Sequence, residues 1–459
     1  MEQRKAPPLK RNDDIVLTID ALGSEGQGIG RYEGFAVFVP GALKNETVHV
    51  HIIKVTSSYA VGKLTGIAVQ SHDRAAPKCP LFSRCGGCSL QHMRYDAQLS
   101  FKRQVVYDAL TRIGGFENIS VNETIGMDHP WLYRNKGSFP YANVDETVQT
   151  GFFAPRSHRI VPLESCPIEH ESAIAVALSV REWARRYSVP VYDEETHKGI
   201  LRHAMVRIAS DGSVMAVIVT TGSLPHEKAL VSILQRDVPQ LKSVVHNINN
   251  TDTNVILGKI YKTLWGSERI DHTLCGLTFE VSAASFLQVN TEQTEKLYKT
   301  ALDLLDPQKS ETVADIYCGI GTISLLLAKR AKRVIGVENV SEAVEDAKRN
   351  AQKNCIGNVE FLYGDAESVL PKLVANGVSF DAAVVDPPRK GCDEAALKSI
   401  REAGVSRLVY VSCNPATLAR DCKQLTHLGY TISTVQPVDM FPQTEHVEVC
   451  VLLSKNLDK

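Results

Sequence analysis

The sequence predicts an α/β protein whose C-terminal part is a doubly wound, mostly parallel sheet, preceded by a small β-barrel and a mixed α+β middle domain. Three observations predict it. From about residue 281 the strand-like runs TVADIYCG, RVIGVE, NVEFLYGD, DAAVVDPP and RLVYVSCN are separated by helical stretches, and that alternation builds a parallel sheet covered on both faces. Between Asp14 and about Gly66 the β-branched runs IVLTID, FAVFVP and TVHVHIIKV are divided by Gly-rich turns such as GSEGQGIG, the pattern of a small antiparallel barrel. The length of 459 residues is about three times a typical domain, which leaves room for a third unit between the two. The boundaries expected are 1–70, 71–280 and 281–459, and no internal repeat or low-complexity segment interrupts them.

In the barrel, Tyr32, Phe35, Phe38 and Tyr59 can stack on nucleic-acid bases or fill the core, and the pattern does not choose between them. Charge adds a direction. The whole chain is nearly neutral, with 51 Lys and Arg against 52 Asp and Glu, but residues 1–103 hold 14 against 9, leaving 37 against 43 for the remainder. A basic front module can guide a polyanion towards an acidic body; a merely solvated surface is the plain alternative. No apolar run approaches the roughly 18 residues of a membrane helix, and MEQRKAPPLKRNDD has no signal-peptide character. A soluble, cytoplasmic protein is expected.

In the middle domain, strands are expected around 133–163 and a helix near Asp96–Ile113, behind a cysteine cluster. APKCPLFSRCGGCSLQHMRYD supplies Cys79, Cys85 and Cys88, and CPIEH supplies Cys166. Four thiols without an interleaved histidine suit zinc or an iron–sulfur cluster. Structural zinc usually takes two paired knuckles, whereas this grouping is three plus one.

The C-terminal domain carries the signs of a cofactor. In ADIYCGIGTISLLLA a strand ends at Asp315, a Gly-x-Gly turn follows at Gly319 and Gly321, and a helix begins. Backbone amides in such a turn approach a ligand at the helix N-terminus. Glu338 ends the next strand and can accept hydrogen bonds from ribose hydroxyls. With Ser324 where a third fingerprint glycine would fall, the pattern suits S-adenosylmethionine better than NAD. Asp365, closing the third strand, either meets the adenine edge or caps the helix AESVLPKL.

The fourth strand ends in DPPRKG, where two prolines stiffen the turn and present Asp386 at the carboxyl edge of the sheet, the edge at which open α/β sheets bind ligands. Arg389 in the same turn reads as an ordinary loop arginine, with a phosphate contact as the alternative. The fifth strand ends at Cys413, followed by the helical PATLARD, so the helix dipole is expected to lower the thiol pKa. Glu448 opens the last strand near the same edge and suits a general base.

FLQVN, DIYCGIGT, DPPRKG, VSCNPAT and DMFPQTEHVE, in that order, resemble the motifs of the RNA uracil-5 methyltransferases that use S-adenosylmethionine. The resemblance covers essentially the whole chain, since the N-terminal barrel is similar to the TRAM module of the ribosomal RNA branch. It implies a class I, Rossmann-like methyltransferase domain that makes 5-methyluridine in 23S ribosomal RNA, with transfer RNA as the alternative substrate. It implies that Cys413 adds to uracil C6, that Glu448 removes the C5 proton, and that Gln288, Tyr317, Glu338 and Asp386 hold the cofactor and the reactive centre. Asp386 also faces the uracil edge, and Asp365 is a further cofactor contact. The family's iron–sulfur branch shares the Cys-Pro and Cys-Gly-Gly-Cys context, which implies a [4Fe-4S] cluster on Cys79, Cys85, Cys88 and Cys166. The helix after Cys88 is expected to pack on the catalytic domain, and the enzyme to act as a monomer. Cys275, Cys318, Cys355, Cys392, Cys422 and Cys450 read as packing or incidental.

Two other readings compete. A 5-methylcytosine enzyme is expected to carry a Pro-Cys on the fourth strand, where this chain has DPPR. A non-catalytic RNA-binding protein needs none of Cys413, Glu448 and Asp386.

Overall fold

A computed structural model describes residues 7–455. Strands Asp14–Leu22, Gly28–Tyr32, Phe35–Val39, Thr47–Val55 and Tyr59–Val69 close into a barrel. Alternate residues point inward, so Leu17, Ile19, Val37, Val39, Val48, Val50 and Ile52 are buried together. The barrel departs from the all-antiparallel expectation at one seam, where Phe35–Val39 runs parallel to Tyr59–Val69. Of the four aromatics, Tyr32 and Phe35 pack against this core, and Phe38 meets Tyr59 edge-on at 5.4 Å. The linker is pinned to the barrel by a bidentate pair, in which Arg74 donates to both oxygens of the buried Glu46 at 2.5 and 2.7 Å.

The middle domain is a seven-stranded sheet whose edge strands are Ile260–Gly266 and Ile160–Pro162. Its central strands Leu201–Ile208 and Val214–Thr220 are buried along their full length. Strand periodicity divides them between two cores. Val214, Ala216 and Ile218 pack under the helices Glu171–Arg186 and Glu227–Asp237, while Met215 and Val217 turn the other way into the C-terminal domain.

In the C-terminal sheet seven strands lie in the spatial order third, second, first, fourth, fifth, seventh, sixth. They are Thr312–Ile316, Arg333–Glu338, Val359–Tyr363, Ala382–Val385, Arg407–Ser412, Tyr430–Val438 and Glu448–Lys455. The first five are parallel, and the last inserts antiparallel between the fifth and sixth. Val313, Val384 and Val409 face the helices Thr291–Leu305 and Ser341–Lys353, while Ala314, Val385 and Tyr410 face Ala366–Ala375, Glu394–Glu402 and Pro415–His427. Besides Met215 and Val217, two further segments from ahead of residue 281 share these cores. Val106 and Ala109 of the helix Tyr95–Ala109 join the second, and the hairpin Arg269–Leu274/Leu277–Ser282 buries Ile270, Phe279 and Val281 in the first. No described helix is long and apolar enough to cross a membrane.

Candidate active site

The strand order brings the motifs to one edge. The fifth strand pairs with the last through Val411 opposite Cys450 and Ser412 opposite Val449, which brings Cys413, one residue past the strand, near Glu448, where the last strand begins. Cys413 sits in the bend that follows, and the Glu448 carboxylate is near enough for its charge to act on the thiol. The fourth strand ends beside the fifth at Val385 opposite Tyr410 and beside the first at Val385 opposite Ile316, which carries Asp386 on beside Tyr317 and Val411, near enough for its charge to act on the Cys413 thiol. Gln288, Tyr317, Glu338, Asp365, Asp386, Cys413 and Glu448 all line one cavity of ≈ 1540 Å³.

The cofactor turn is built by its backbone. Tyr317 takes φ +67°, Gly319 +54° and Gly321 +83°; the positive angle at a tyrosine is a strained conformation of the kind that clusters at ligand sites. Glu338 holds the turn, its two carboxylate oxygens accepting from Gly319 N at 3.0 Å and Val340 N at 2.9 Å. Asp365 precedes the helix Ala366–Ala375, yet its side chain makes no capping bond. It accepts from Asn339 Nδ2 at 3.0 Å instead, so the capping alternative is set aside and the carboxylate stays with the cavity. Ser324, at the position of the absent third glycine, donates to Asp315 Oδ2 and leaves Asp315 Oδ1 buried without a partner among the described residues.

The DPPRKG turn is locked onto the helix Pro415–His427. Asn414 Nδ2 and Thr417 Oγ1 donate to the Arg389 carbonyl at 3.1 and 3.2 Å. Gly391 closes the turn at φ +78°, where a Cβ would sit 2.5 Å from Asp421 Oδ2, so only glycine fits. The turn thereby delivers Arg389 to the Cys413 thiol.

Electrostatics corrects the expectation for that thiol. Partial burial, then the Glu448 and Asp386 carboxylates, push the Cys413 pKa up to about 11, against the downward pull of the Arg389 guanidinium that reaches it. The thiol expected to be lowered is thus raised, because desolvation and two like charges outweigh the guanidinium. Burial raises Asp386 to about 7, helped by Asp315, and Asp315 itself to about 7. Asp386 is therefore less freely presented than its turn suggests. Glu448, 2% exposed with Oε2 unpartnered among the described residues, lies well above the ordinary carboxyl range through burial and the nearby Asp386.

Three carboxyl groups crowded into one cavity favour a cationic occupant, which repays their desolvation. The opposite wall, from the middle domain, brings Lys136, Lys259 and Tyr261; burial and the neighbouring Arg207 and Arg134 draw Lys136 down to about 8. Arg389, Asp315 and Lys136 are the residues that sequence reasoning left out of the site. The unpaired acid before Gly-x-Gly was a usable signal for Asp315. An isolated lysine or loop arginine offers none. Replacing Arg389 by methionine is expected to raise the Cys413 pKa further and to slow thiol alkylation several-fold at both pH 8 and pH 10, since both lie below the wild-type value of about 11. Peptide mass spectrometry of Cys413 after timed iodoacetamide treatment measures it; unchanged alkylation at both pH values would contradict the electrostatic role.

The four clustered thiols lie together in the middle domain. Burial, and then one another's charges, raise Cys88 to about 12, and Cys166 is raised to about 11 by burial and by Glu169 and Cys79. The donor set, four half-buried thiols, fits a soft metal or iron–sulfur cluster. Their side chains do not converge on one point as a closed coordination sphere would, since among the described residues no three His, Cys, Asp or Glu groups are placed to hold a metal ion. Cys318, Cys392, Cys422 and Cys450 are buried, Cys275 is half-buried and Cys355 exposed.

Comparison with known proteins agrees with this geometry. Residues 273–456 match the family model described as tRNA (Uracil-5-)-methyltransferase, and residues 9–65 match the TRAM domain. An uncharacterized RNA methyltransferase of Halalkalibacterium halodurans is 48% identical over 456 residues, covering 99% of this chain and all of its own. Another from Clostridium tetani is 46% identical over 458 residues, covering 99% of each chain. The crystal structure of Pyrococcus abyssi tRNA (uracil-54, C5)-methyltransferase with S-adenosyl-L-homocysteine superposes with a TM-score of 0.77 at 28% identity, covering 95% of this chain and 99% of that one. The chain therefore belongs to the S-adenosylmethionine-dependent RNA uracil-5 methyltransferases and carries their methyltransferase fold behind a TRAM domain.

Proposed function

We propose that the enzyme methylates C5 of uridine in 23S ribosomal RNA through a covalent bond between Cys413 and C6. The observation that carries this reading is the proximity of Cys413 and Glu448, at the ends of neighbouring strands, inside the cavity that Asp386 and the cofactor turn also line. Uracil C5 is too weak a nucleophile to be methylated unaided. Addition of the Cys413 thiolate to C6 moves electron density onto C5 and O4. Arg389 stabilises the thiolate, and Asp386 at neutral pH exists in both protonation states, so it can donate to or accept from the uracil edge.

Bound S-adenosylmethionine would supply an electrophilic methyl group on cationic sulfur, its S–CH3 bond breaking as the C5–CH3 bond forms and S-adenosylhomocysteine leaving as a neutral thioether. Gln288, Tyr317, Glu338, Asp365 and Asp386 hold the cofactor. Glu448 then removes the C5 proton, the C6–S bond breaks, and Cys413 leaves as thiolate with 5-methyluridine formed. A base in a folded RNA is flipped into the cavity first, drawn along the basic wall of Lys136 and Lys259.

The barrel and the four-cysteine grouping support ribosomal RNA. Transfer RNA is the second reading, favoured by the name of the Pyrococcus abyssi relative. Transcripts of both RNAs made with 5-fluorouridine test it: fluorine cannot leave as a proton does, so attack stalls as a protein–RNA adduct visible on a denaturing gel. An adduct on large-subunit RNA supports the proposal, one on transfer RNA alone replaces the substrate, and none on either removes the covalent mechanism. The enzyme acts as a cytoplasmic monomer, divided at about 70 and 280, with the helix after Cys88 shared with the catalytic core. Cys79, Cys85, Cys88 and Cys166 hold a [4Fe-4S] cluster of structural role, because methyl transfer has no redox step. Anaerobically purified protein is expected to contain about four iron and four sulfide per chain; zinc without sulfide would overturn the assignment.

A further inference from the structure

The segment 439–446, DMFPQTEH, connects the sixth strand to Glu448 and places Phe441 and His446 in the cavity wall. Its tethers come from outside the C-terminal sheet. Lys102, wholly buried in the helix Tyr95–Ala109, donates to Asp439 Oδ1, itself wholly buried, and to the Phe441 carbonyl at 3.0 Å. Gln98 of the same helix exchanges hydrogen bonds with Gln443 at 3.1 Å each way. Ser89, the residue after Cys88, donates to Glu445 Oε2 at 2.5 Å and accepts from Glu445 N at 2.9 Å. Glu445 stands three residues before Glu448, so each tether acts on the approach to that carboxylate.

A fully buried ion pair is seldom retained for stability, since apolar residues of similar volume often serve as well or better; its attested use is to select one conformation. Here the ammonium also holds a main-chain carbonyl, so Lys102 fixes the path of the loop as well as its charge. We infer that Lys102, through Asp439 and Phe441, is a positioning residue for removal of the C5 proton: it holds the wall of Phe441 and His446, and the entry to Glu448, in register with the target base. The inference rests on the reading of Glu448 as the base. It also ties the four-thiol loop to the reaction, because Ser89 holds the same segment.

The test uses the full-length double variant Lys102→Met/Asp439→Leu, which removes both charges together; the Tyr95 hydroxyl, which donates to Asp439 Oδ2 at 2.8 Å, and the Phe441 carbonyl each lose one partner and keep another, Met127 N and Thr444 Oγ1. Lys102→Met alone serves as a comparison that carries the cost of an unpaired Asp439. The double variant is expected to melt within a few degrees of wild type and to bind S-adenosylhomocysteine normally. Its kcat on RNA is expected to fall about 10²-fold, as for a displacement near 1 Å, with KM for RNA within about twofold. Proton removal should then limit the rate, so the kinetic isotope effect with RNA deuterated at uridine C5 should exceed that of wild type. A folded double variant with wild-type kcat and isotope effect, or a loss confined to KM, overturns the inference. Glu448→Gln is run alongside: wild-type turnover in that variant sinks the base assignment alone, and the positioning claim is then judged by kcat of the double variant.

Discussion

Replacing Cys413 by alanine is expected to abolish methyl transfer, by at least about 10⁴-fold in kcat, and to eliminate every covalent adduct with 5-fluorouridine RNA. The size follows from the chemistry, since without addition at C6 no electron pair is delivered to C5. Binding should survive, because Cys413 is one half-buried side chain in a cavity of ≈ 1540 Å³ whose cofactor turn is held independently by Glu338. S-adenosylhomocysteine titration and RNA retention should therefore match wild type. With the wild-type thiol raised to about 11, adduct formation should climb about tenfold per pH unit over the neutral range, as the thiolate fraction does. A cationic ligand in the cavity flattens that slope by stabilising the thiolate, so the profile with S-adenosylmethionine should be shallower than without it. An adduct that persists in Cys413→Ala would show that another nucleophile operates.

Replacing Glu448 by glutamine is expected to lower turnover by about 10³-fold or more and to trap the enzyme after methylation. Methylated, protein-bound RNA should accumulate on ordinary uridine substrate, because elimination of Cys413 waits for loss of the C5 proton. The same change should raise stability. Glu448 has its folded-state pKa well above the unfolded value through burial and the proximity of Asp386. Its contribution is thus intact below the unfolded pKa and turns into a penalty as pH rises towards the folded one. Glutamine keeps the shape and carries no such penalty, so Tm should rise by about 2 °C at pH 8 and stay unchanged near pH 4. Scanning calorimetry at both pH values measures this; an equal or lower Tm at pH 8 would mean that Glu448 is held ionised by a partner, and that its role as base needs another account.

Much of the site was legible because its parts end strands. Asp315, Glu338, Asp365, Asp386 and Cys413 each follow an apolar run, and in a parallel sheet all such ends share one edge. Glu448 was legible for the complementary reason, that an antiparallel strand begins where its parallel neighbours finish. Asp365 shows the limit of position alone: it stands where a helix cap stands and does not cap. The parallel seam of the barrel was illegible because a strand's partner depends on how the sheet closes, and its own alternation carries no record of direction. The hairpin Arg269–Ser282 likewise looks from its sequence as if it belonged to either neighbouring domain; the face it buries decides.

The sequence by itself determined the doubly wound sheet, the barrel ahead of it and the edge at which the motifs gather, because periodicities of 2 and 3.6 and strand-end motifs are local properties of a chain. Only the tertiary structure decided the ionisation of the thiol and carboxyl groups at that edge and what holds them in place. The raised Cys413 and Glu448, the arrival of Arg389 at the thiol, and the buried pair of Lys102 and Asp439, 337 residues apart, all depend on which distant segments exclude water from the same few atoms. Desolvation and Coulomb energy act through space, and neither leaves a pattern along the chain.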